Sequence, residues 1–300
     1  MKLASFLVKG EPHFGSVTDR GVLDFTQASA LMGGEAPRSL AEALSGGEDA
    51  VGKLASFEGR MLARPDVDNF LSEVPRVKFL PPVQAPSKIL CVFVNYRSHG
   101  QEVGSAPSEP YFFFKSSNCI VGDGDEVLVP KFSSKADHEV ELGLIIGRRG
   151  KDIQPMEAYD YVAGYTVIND ISFRDGMRRG VEGTVVGRNL YKGKVADTSL
   201  PMGPCLVTKD GIAGPYPLRL QLRVNGELRQ DGTTTDMIFR VPALIASASE
   251  GNTLLPGDVI ATGTCSGVGL YTGKYLNDGD VVEAEVEKIG VLKNRIRMQK

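Results

Sequence analysis

Short runs of alternating or β-branched residues, separated by turn residues, fill the chain beyond residue 85. Side chains alternate across a strand, so these runs predict strands with a buried face. Turn signals such as G-D-G-D and N-D-G-D separate them. One amphipathic helix is predicted at Ile238–Ala248. The pattern indicates a β-rich α+β fold, with strands at Ile89–Val94, Tyr111–Phe114, Glu126–Val129, Val140–Ile146, Tyr161–Ile168, Leu218–Val224, Val259–Thr262, Val281–Val286 and Val291–Ile296.

The segment before residue 85 has a different pattern. It begins with short strand-like runs at Leu3–Val8, His13–Val17 and Gly21–Phe25 and continues with helical spacing at Ser39–Leu44 and Ala50–Phe57. The segment P-P-V-Q-A-P-S at Pro81–Ser87 can continue neither a helix nor a strand and predicts a linker. We therefore expect a small N-terminal α+β domain over residues 1–80 and a larger domain over residues 85–300.

Composition and charge exclude several classes of protein. The 300 residues are 42% hydrophobic and carry a formal net charge of −3 without a long basic run, which argues against nucleic acid as a partner. No apolar run reaches membrane-spanning length, and Lys9 and Glu11 interrupt the apolar N-terminus. Four distant cysteines (Cys91, Cys119, Cys205 and Cys265) indicate neither a zinc site nor a disulfide framework. We expect a cytoplasmic protein that does not bind membranes.

Two glutamates in the strand Val140–Ile146 and its N-terminal flank are candidates for a metal site. Glu139 and Glu141 point to the same face of the strand. Two adjacent carboxylates near an apolar face repel each other unless a cation lies between them, and oxygen ligands suit Mg²⁺, Mn²⁺ or Ca²⁺. Asp170, which ends an apolar strand, is a candidate third ligand. The alternatives are a solvated strand end for the glutamates and a simple Asn-Asp turn for Asp170.

A histidine and a glutamate in the segment N-Y-R-S-H-G-Q-E are candidates for a general base. His99 and Glu102 are three residues apart and lie on one side of a helical turn. A carboxylate orients an imidazole and raises its basicity, as a base that acts on water requires. Nearby glycines and serines favour a mobile loop that would suit a lid. The alternative is an ordinary surface pair.

Two lysines and a glycine-rich segment complete the candidates. Lys115 follows an aromatic run and Lys194 precedes D-T-S-L-P-M-G-P, although most lysines are simply solvated. The segment T-G-T-C-S-G-V-G at residues 262–269 lacks the ending of a phosphate loop and the helix of a dinucleotide site. Its glycines and hydroxyls suit a small carboxylate, and a tight turn is the alternative.

The order of these motifs resembles the fumarylacetoacetate hydrolase family. N-Y-x-x-H-x-x-E is followed by an aromatic strand ending in Lys, E-x-E-L, G-Y-x-x-x-N-D, K-x-x-D-T-x-x-P-x-G-P, V-N-G-E with Q-D-G and D-M-I-F, and L-x-P-G-D-V-I-A-T-G-T-x-x-G-V-G, over residues 85–296. The resemblance implies a mixed β-roll fold and a homodimer. It also implies a set of site residues: metal ligands Glu139, Glu141 and Asp170, a lid dyad of His99 and Glu102, a catalytic cation at Lys194, and substrate contacts at Lys115 and Thr264.

Two positions depart from the family pattern. Cys265 stands where the family usually has proline, and Val195-Ala196 replace the usual Ser-Phe after the lysine. Both changes are expected to reshape the substrate pocket.

The resemblance implies a metal-dependent hydrolase that cleaves a C–C bond in a small acylpyruvate-type 2-oxo acid. The same site would also suit an oxaloacetate-type decarboxylase, an enol–keto isomerase of 2-oxo acids or a dehydratase of 2-oxo-3-deoxy sugar acids. A metal-binding protein without catalysis is a further alternative. A dinucleotide-dependent oxidoreductase is disfavoured because no strand–G-x-G-x-x-G–helix unit occurs.

Overall fold

A computed structural model describes residues 1–300 except 32–33, 35, 46–49, 178–188 and 213. The segment before the predicted linker forms five strands and three α-helices within these residues. In chain order they are β1 (Lys2–Val8), β2 (Glu11–Thr18), β3 (Gly21–Asp24), α1 (Phe25–Leu31), α2 (Leu40–Ser45), α3 (Ala50–Leu62), β4 (Leu71–Ser72) and β5 (Lys78–Leu80).

The remainder of the described chain is dominated by strands. Its elements are β6 (Ile89–Val92), α4 (Arg97–Val103), β7 (Phe112–Lys115), β8 (Ile120–Val121), β9 (Glu126–Val129), β10 (Ala136–Asp137), β11 (Val140–Ile146), β12 (Val162–Asn169), β13 (Ser172–Phe173), α5 (Arg174–Met177), α6 (Leu190–Lys194), β14 (Leu200–Thr208), β15 (Arg219–Val224), β16 (Glu227–Thr233), α7 (Val241–Ser249), β17 (Val259–Thr264), α8 (Gly269–Thr272), β18 (Val281–Val286) and β19 (Gly290–Met298).

Twelve of the described strands form one mixed sheet that joins both parts of the chain. Ten of them lie in the order β4-β3-β2-β1-β14-β12-β11-β17-β6-β7, while β5 pairs with β1 and β8 with β14. The antiparallel pairing of β1 with β14 places Leu3 opposite Leu206. The N-terminal strands therefore extend the sheet that carries the candidate site, and the boundary at Pro81–Ser87 stays a prediction.

The second sheet covers one face of the large sheet. Its order is β16-β15-β18-β19-β9. Strands β15, β18 and β19 pack against β11, β12 and β14. Buried residues from both sheets form a continuous core that includes Leu142, Leu144, Val167, Leu220, Leu222, Val282, Ala284 and Leu292. Because β11 is covered on this face, its alternate residues are apolar here and leave the other face for Glu141.

Helices α1–α3 form a second core on the opposite face of the large sheet. It includes Leu40, Leu44, Leu54, Phe57 and Met61 from the helices and Ile145, Ala163, Ile168 and Leu206 from the sheet. The fold is mixed and rich in strands, as the sequence predicts. No helix in the described ranges is both long and apolar enough to span a membrane.

Two local differences from the predicted elements have physical reasons. The hydrophobic pattern does not predict β14, because Pro201, Gly203 and Pro204 interrupt it. Helix α7 begins at Val241 rather than at Ile238. The backbone N–H of Ile238 donates to the Asn95 carbonyl and the N–H of Phe239 to Asn95 Oδ1, so both residues are held in a bend before the helix.

Candidate active site

The sheet brings the three predicted metal ligands together. In the antiparallel β11–β12 pair, Val140 lies opposite Asn169, which places Glu139 beside Asp170 at the strand ends. On the other side of β11, Glu141 lies opposite Thr264 of β17. One oxygen from each of Glu139, Glu141 and Asp170 lies within 4.8 Å of the others, and all three residues are buried. The pairing of β11 with β12 and β17 therefore brings the three carboxylates into one buried cluster.

Three buried cations surround these carboxylates. Lys194 Nζ bridges Glu139 Oε2 at 2.7 Å and Asp170 Oδ2 at 2.6 Å. Lys115 Nζ donates to Asp170 Oδ1 at 2.8 Å. Arg174 Nη2 donates to Glu139 Oε1 at 2.6 Å, and Arg174 Nε donates to Asp137 Oδ2 at 2.7 Å. Charge-assisted hydrogen bonds of this kind fix the carboxylates in place.

The two glutamates differ in their electrostatic surroundings. Burial would raise the pKa of Glu139, but the charges of Lys194 and Arg174 outweigh it and lower that pKa to about 2. Burial raises the pKa of Glu141 well above its usual range, and the charges of Asp170 and Glu139 raise it further. Lys194 is subject to burial, which would lower its pKa, yet Asp170 and Glu139 raise it. Lys194 is therefore a fixed cation rather than a base.

The donor set fits one divalent cation. The buried groups at the site carry more negative than positive charge in the described part of the chain. Not counting the neighbouring imidazole of His138, they are four carboxylates and three cations: Asp137, Glu139, Glu141 and Asp170 against Lys115, Arg174 and Lys194. Glu141 Oε2 accepts the N–H of Gly263 at 2.6 Å, and no other hydrogen bond to Glu141 is found among the described residues. Carboxylate oxygens retain a lone pair beside each lysine, so Glu139, Glu141 and Asp170 can also coordinate a hard cation.

The predicted base lies on a short helix at the same cavity. His99 and Glu102 both belong to α4, and His99 Nδ1 lies 2.9 Å from Glu102 Oε2. The backbone N–H of Gly267 donates to Glu102 Oε1 at 2.8 Å. If Nδ1 carries the proton towards Glu102, Nε2 is left with a lone pair. The Tyr271 ring contacts the imidazole edge to face, with centroids 6.0 Å apart.

One cavity of about 200 Å³ connects these groups. The base, two of the carboxylates and two cations lie on its wall, and apolar side chains close the remainder. The lining residues are Val92, Phe93, Val94, His99, Phe113, Glu139, Glu141, Arg174, Met177, Leu190, Lys194, Thr264 and Leu270. A cavity with few charged groups among apolar walls suits a small anionic substrate.

The remaining predicted residues fall into two groups. Thr264 lines the cavity, with its hydroxyl donating to the Val140 carbonyl at 2.8 Å. Lys115 is buried, and its ammonium donates to Asp170, to the Ile171 carbonyl and to the Ser199 carbonyl. An ammonium has three donors, and all three are used here, while the expected substrate contact of Lys115 stays a prediction. The hydrogen bond from Lys115 holds the Asp170 carboxylate in place.

The two departures from the family pattern do not contribute to the described wall of the cavity. Cys265 is fully buried, with its Sγ 3.8 Å from Gln230 Nε2. Neither Cys265 nor Val195 nor Ala196 is among the described residues that line the cavity. The expected reshaping of the substrate pocket stays a prediction.

Three buried residues at the site, Asp137, Arg174 and Gln230, are not predicted as site residues from the sequence. Asp137 accepts N–H groups from Gly269 and Leu270 and pairs with Arg174. Gln230 accepts the Val140 N–H at 3.0 Å and donates to Thr264 Oγ1 at 2.8 Å, which ties β11 to the glycine-rich loop. The motifs D-H-E-V-E and Q-D-G contain Asp137 and Gln230, but no local pattern identifies their partners.

The chain matches known proteins over most of its length. Residues 88–297 match the family model of the fumarylacetoacetate (FAA) hydrolase C-terminal domain. The chain is 39% identical over 293 residues to the oxaloacetate tautomerase Fahd2a, mitochondrial, of Rattus norvegicus, covering 95% of this chain and 88% of that protein.

Solved structures resemble it over their full length. The fumarylacetoacetate hydrolase from Exiguobacterium antarcticum has a TM-score of 0.78 at 32% identity, with all of both chains covered. The maleylpyruvate hydrolase from Sphingobium sp. SYK-6, solved with manganese(II) and pyruvate, has a TM-score of 0.76 at 28% identity, again with all of both chains covered.

Proposed function

The chain belongs to the fumarylacetoacetate hydrolase family of enzymes, and from this premise we propose that it is a divalent-metal-dependent oxaloacetate tautomerase. The reaction interconverts the enol and keto forms of a small dicarboxylic 2-oxo acid. Of the alternatives that the sequence leaves open, this is the enol–keto isomerase. The proposal departs from the C–C bond hydrolase expected from the sequence.

The observation that carries the proposal is one small cavity that holds an oriented imidazole, a carboxylate cluster and fixed cations. His99, Glu139 and Glu141 line it together with Arg174 and Lys194. Proton transfer next to a carbonyl requires a base beside the carbon and positive charge beside the oxygen. The 39% identity to a named oxaloacetate tautomerase supports this reaction over others of the same family.

The residues have separate roles in this proposal. Ketonisation removes the proton of the enol oxygen at C2 and adds one proton to C3, without breaking the carbon skeleton. His99 Nε2, with Nδ1 held by Glu102, moves the proton. Lys194 keeps its proton and stabilises negative charge near the 2-oxo oxygen. Arg174 Nη1 has no hydrogen bond among the described residues and is available to the distal carboxylate.

Glu139, Glu141 and Asp170 would hold the metal. An ion of the Mg²⁺, Mn²⁺ or Ca²⁺ type would supply positive charge beside the oxygen on which negative charge develops. The all-oxygen donor set and the manganese(II) present in the Sphingobium maleylpyruvate hydrolase support this choice.

C–C bond hydrolysis is the second candidate function. The His99–Glu102 pair is also the arrangement that activates an attacking water, and the family includes hydrolases such as the Sphingobium protein. Hydrolysis needs room for a water and an acyl group in addition to the pyruvyl part. The two reactions are distinguished by their products.

The deciding experiment supplies enol-oxaloacetate and an acylpyruvate separately to the Mg²⁺-loaded protein and follows products by proton NMR. We expect accelerated appearance of keto-oxaloacetate, no pyruvate, and no cleavage of the acylpyruvate. His99→Asn should abolish the acceleration while leaving the cluster intact. The control is Glu285→Gln, at a half-buried position of β18 that does not line the cavity, and it should keep full activity.

Other outcomes reassign the site. Pyruvate and a free acid from the acylpyruvate would make the protein a hydrolase. Pyruvate and CO₂ from oxaloacetate would make it a decarboxylase. Wild-type activity after complete removal of divalent ions would contradict the metal site.

A further inference from the structure

The motif D-M-I-F at residues 236–239 is a conspicuous sequence feature without a role in the mechanism above. Its last two residues pair with Asn95: the N–H of Ile238 donates to the Asn95 carbonyl, and the buried Asn95 amide exchanges hydrogen bonds with Phe239. Asn95 Nδ2 also donates to the Thr262 carbonyl at 2.8 Å. The motif is therefore fixed directly against the segment that leads into α4.

Asp236 contacts the helix that carries the base. Its Oδ2 accepts the backbone N–H of Ser98 at 2.9 Å and the Ser98 hydroxyl at 2.6 Å. The first N–H groups of a helix have no partner within the helix, and Tyr96 at the N-cap of α4 contributes no side-chain bond. Asp236 supplies the missing acceptor from a segment 138 residues away in the chain.

A different loop contacts α4 near both of its ends. Gly267 N–H donates to Glu102 Oε1, and Ser266 N–H lies 3.4 Å from Ser98 Oγ. Ser98 thus contacts both Asp236 and the loop that contains Thr264. Fixing both ends of a seven-residue helix limits the positions that its imidazole can take relative to the carboxylate cluster.

We propose that Asp236 is a positioning residue for His99, acting through Ser98 to hold α4 against the cavity. The inference rests on the proposed function for its kinetic consequence. Asp236 lines no part of the cavity wall described above and does not contact the carboxylate cluster. Its loss should displace the base without weakening metal binding.

The test compares Asp236→Ala and Asp236→Asn with the wild type. A hydrogen bond to a charged acceptor corresponds to roughly 10- to 100-fold in an equilibrium or rate constant. We expect kcat for enol-oxaloacetate to fall by about that factor in Asp236→Ala, with KM and the Mn²⁺ dissociation constant changed less than about twofold. Asp236→Asn keeps one acceptor oxygen and should lose less activity.

Hydrogen exchange of the backbone provides a readout independent of catalysis. Exchange in a peptide that covers Arg97–Val103 should become about tenfold faster in Asp236→Ala, while β11 and β12 stay protected. Ser98→Ala should give a smaller effect, and the Ser98→Ala/Asp236→Ala double variant should be no worse than Asp236→Ala alone. The control is Asp231→Asn, which removes an exposed pair with Arg219 and should change neither readout.

The outcomes separate this proposal from the function. Wild-type kcat and unchanged exchange in Asp236→Ala would overturn the positioning role. Faster exchange at β11 and β12, or weaker Mn²⁺ binding, would show a general structural role and also overturn it. If the wild type has no tautomerase activity, the proposed function fails, and local exchange in α4 still decides whether Asp236 positions the helix.

Discussion

At the scale of single residues, Glu141 is the one of the three candidate metal ligands that accepts no hydrogen bond from a lysine or arginine of the described chain. It is buried, accepts one backbone N–H, and lies beside Glu139 and Asp170. A buried charge without a partner is costly, whereas a metal ligand must be ionised. The Glu141 side chain therefore lowers the stability of the folded protein when no cation is bound and raises it when a cation is bound.

The first prediction concerns Glu141→Gln, which keeps the shape of the side chain and removes the charge. We expect Mn²⁺ affinity to fall at least about 100-fold, as for loss of an important ligand contact. Without metal, the free energy of unfolding should stay the same or rise by about 1 kcal/mol. Isothermal titration and urea unfolding measure the two effects. Wild-type Mn²⁺ affinity in the variant would contradict the assigned ligand set.

The second prediction concerns Glu102, which orients the imidazole. Glu102→Gln keeps an oxygen for His99 Nδ1 but loses the charge that stabilises the imidazolium. We expect kcat to fall by about 10- to 100-fold and the Mn²⁺ affinity to remain unchanged. Glu102→Ala should lose more, because Gly267 N–H then also lacks its acceptor. Equal activity of both variants and wild type would remove the dyad from the mechanism.

At the scale of secondary-structure elements, the end of β17 and the loop that follows it to α8 depend on glycines. Gly263 has φ +87°, and its N–H donates to Glu141. Gly267 has φ +103°, and a Cβ there would lie 2.2 Å from the Arg229 carbonyl oxygen. Positive φ and close backbone approach both require glycine. The loop thereby reaches Glu141 at one end and Glu102 at the other.

The third prediction concerns Gly267→Ala. The clash with Arg229 cannot be relieved by a side chain, so the loop must move, and we expect a loss of about 2–4 kcal/mol in unfolding free energy. Gly279→Ala is the matched control, because it also has positive φ but nothing within 4 Å of the added Cβ. It should cost about 1 kcal/mol. Equal losses in urea unfolding would show that steric crowding at residue 267 is absent.

The sequence predicts the individual residues of the candidate site better than the partners that they contact in other segments of the chain. Strand alternation and the order of motifs predict Glu139, Glu141 and Asp170 as candidate ligands, because the position of each residue in its own strand can be read from the local sequence. The pairing of Asp236 with Ser98 and of Lys115 with Asp170 depends on the order in which strands and helices are arranged in the fold. Local patterns carry no information about that order. For this reason the hydrogen-bond partners of Lys115 could not be predicted from the sequence.

At the scale of the whole molecule, the candidate metal site lies at the ends of central strands of the twelve-stranded sheet. Strands β11 and β12 contact both hydrophobic cores. A ligand that binds only the folded protein stabilises all of the structure that unfolds with the site. Metal binding should therefore be visible in global stability rather than only in the local loops.

The fourth prediction states the size of this linkage. At a free Mn²⁺ concentration of about 100 times the dissociation constant, the free energy of unfolding should rise by about 2.7 kcal/mol. Scanning calorimetry with Mn²⁺, Mg²⁺ and EDTA measures the shift. Glu141→Gln should show almost none. A shift of the same size in that variant would mean that the ions bind elsewhere.

The fifth prediction concerns the N-terminal segment, whose strands share the sheet with the candidate site. Because β1 pairs with β14 and helices α2 and α3 pack on Ile145 and Leu206, residues 1–80 should unfold together with the remainder in one calorimetric transition. Leu54→Ala, in α3, should lower the stability of that whole transition by about 2–5 kcal/mol. Lys53→Ala on the exposed side of the same helix should leave it unchanged. Two transitions, with only the smaller one shifted by Leu54→Ala, would instead make the segment an independent domain and place its boundary at the proline-rich linker.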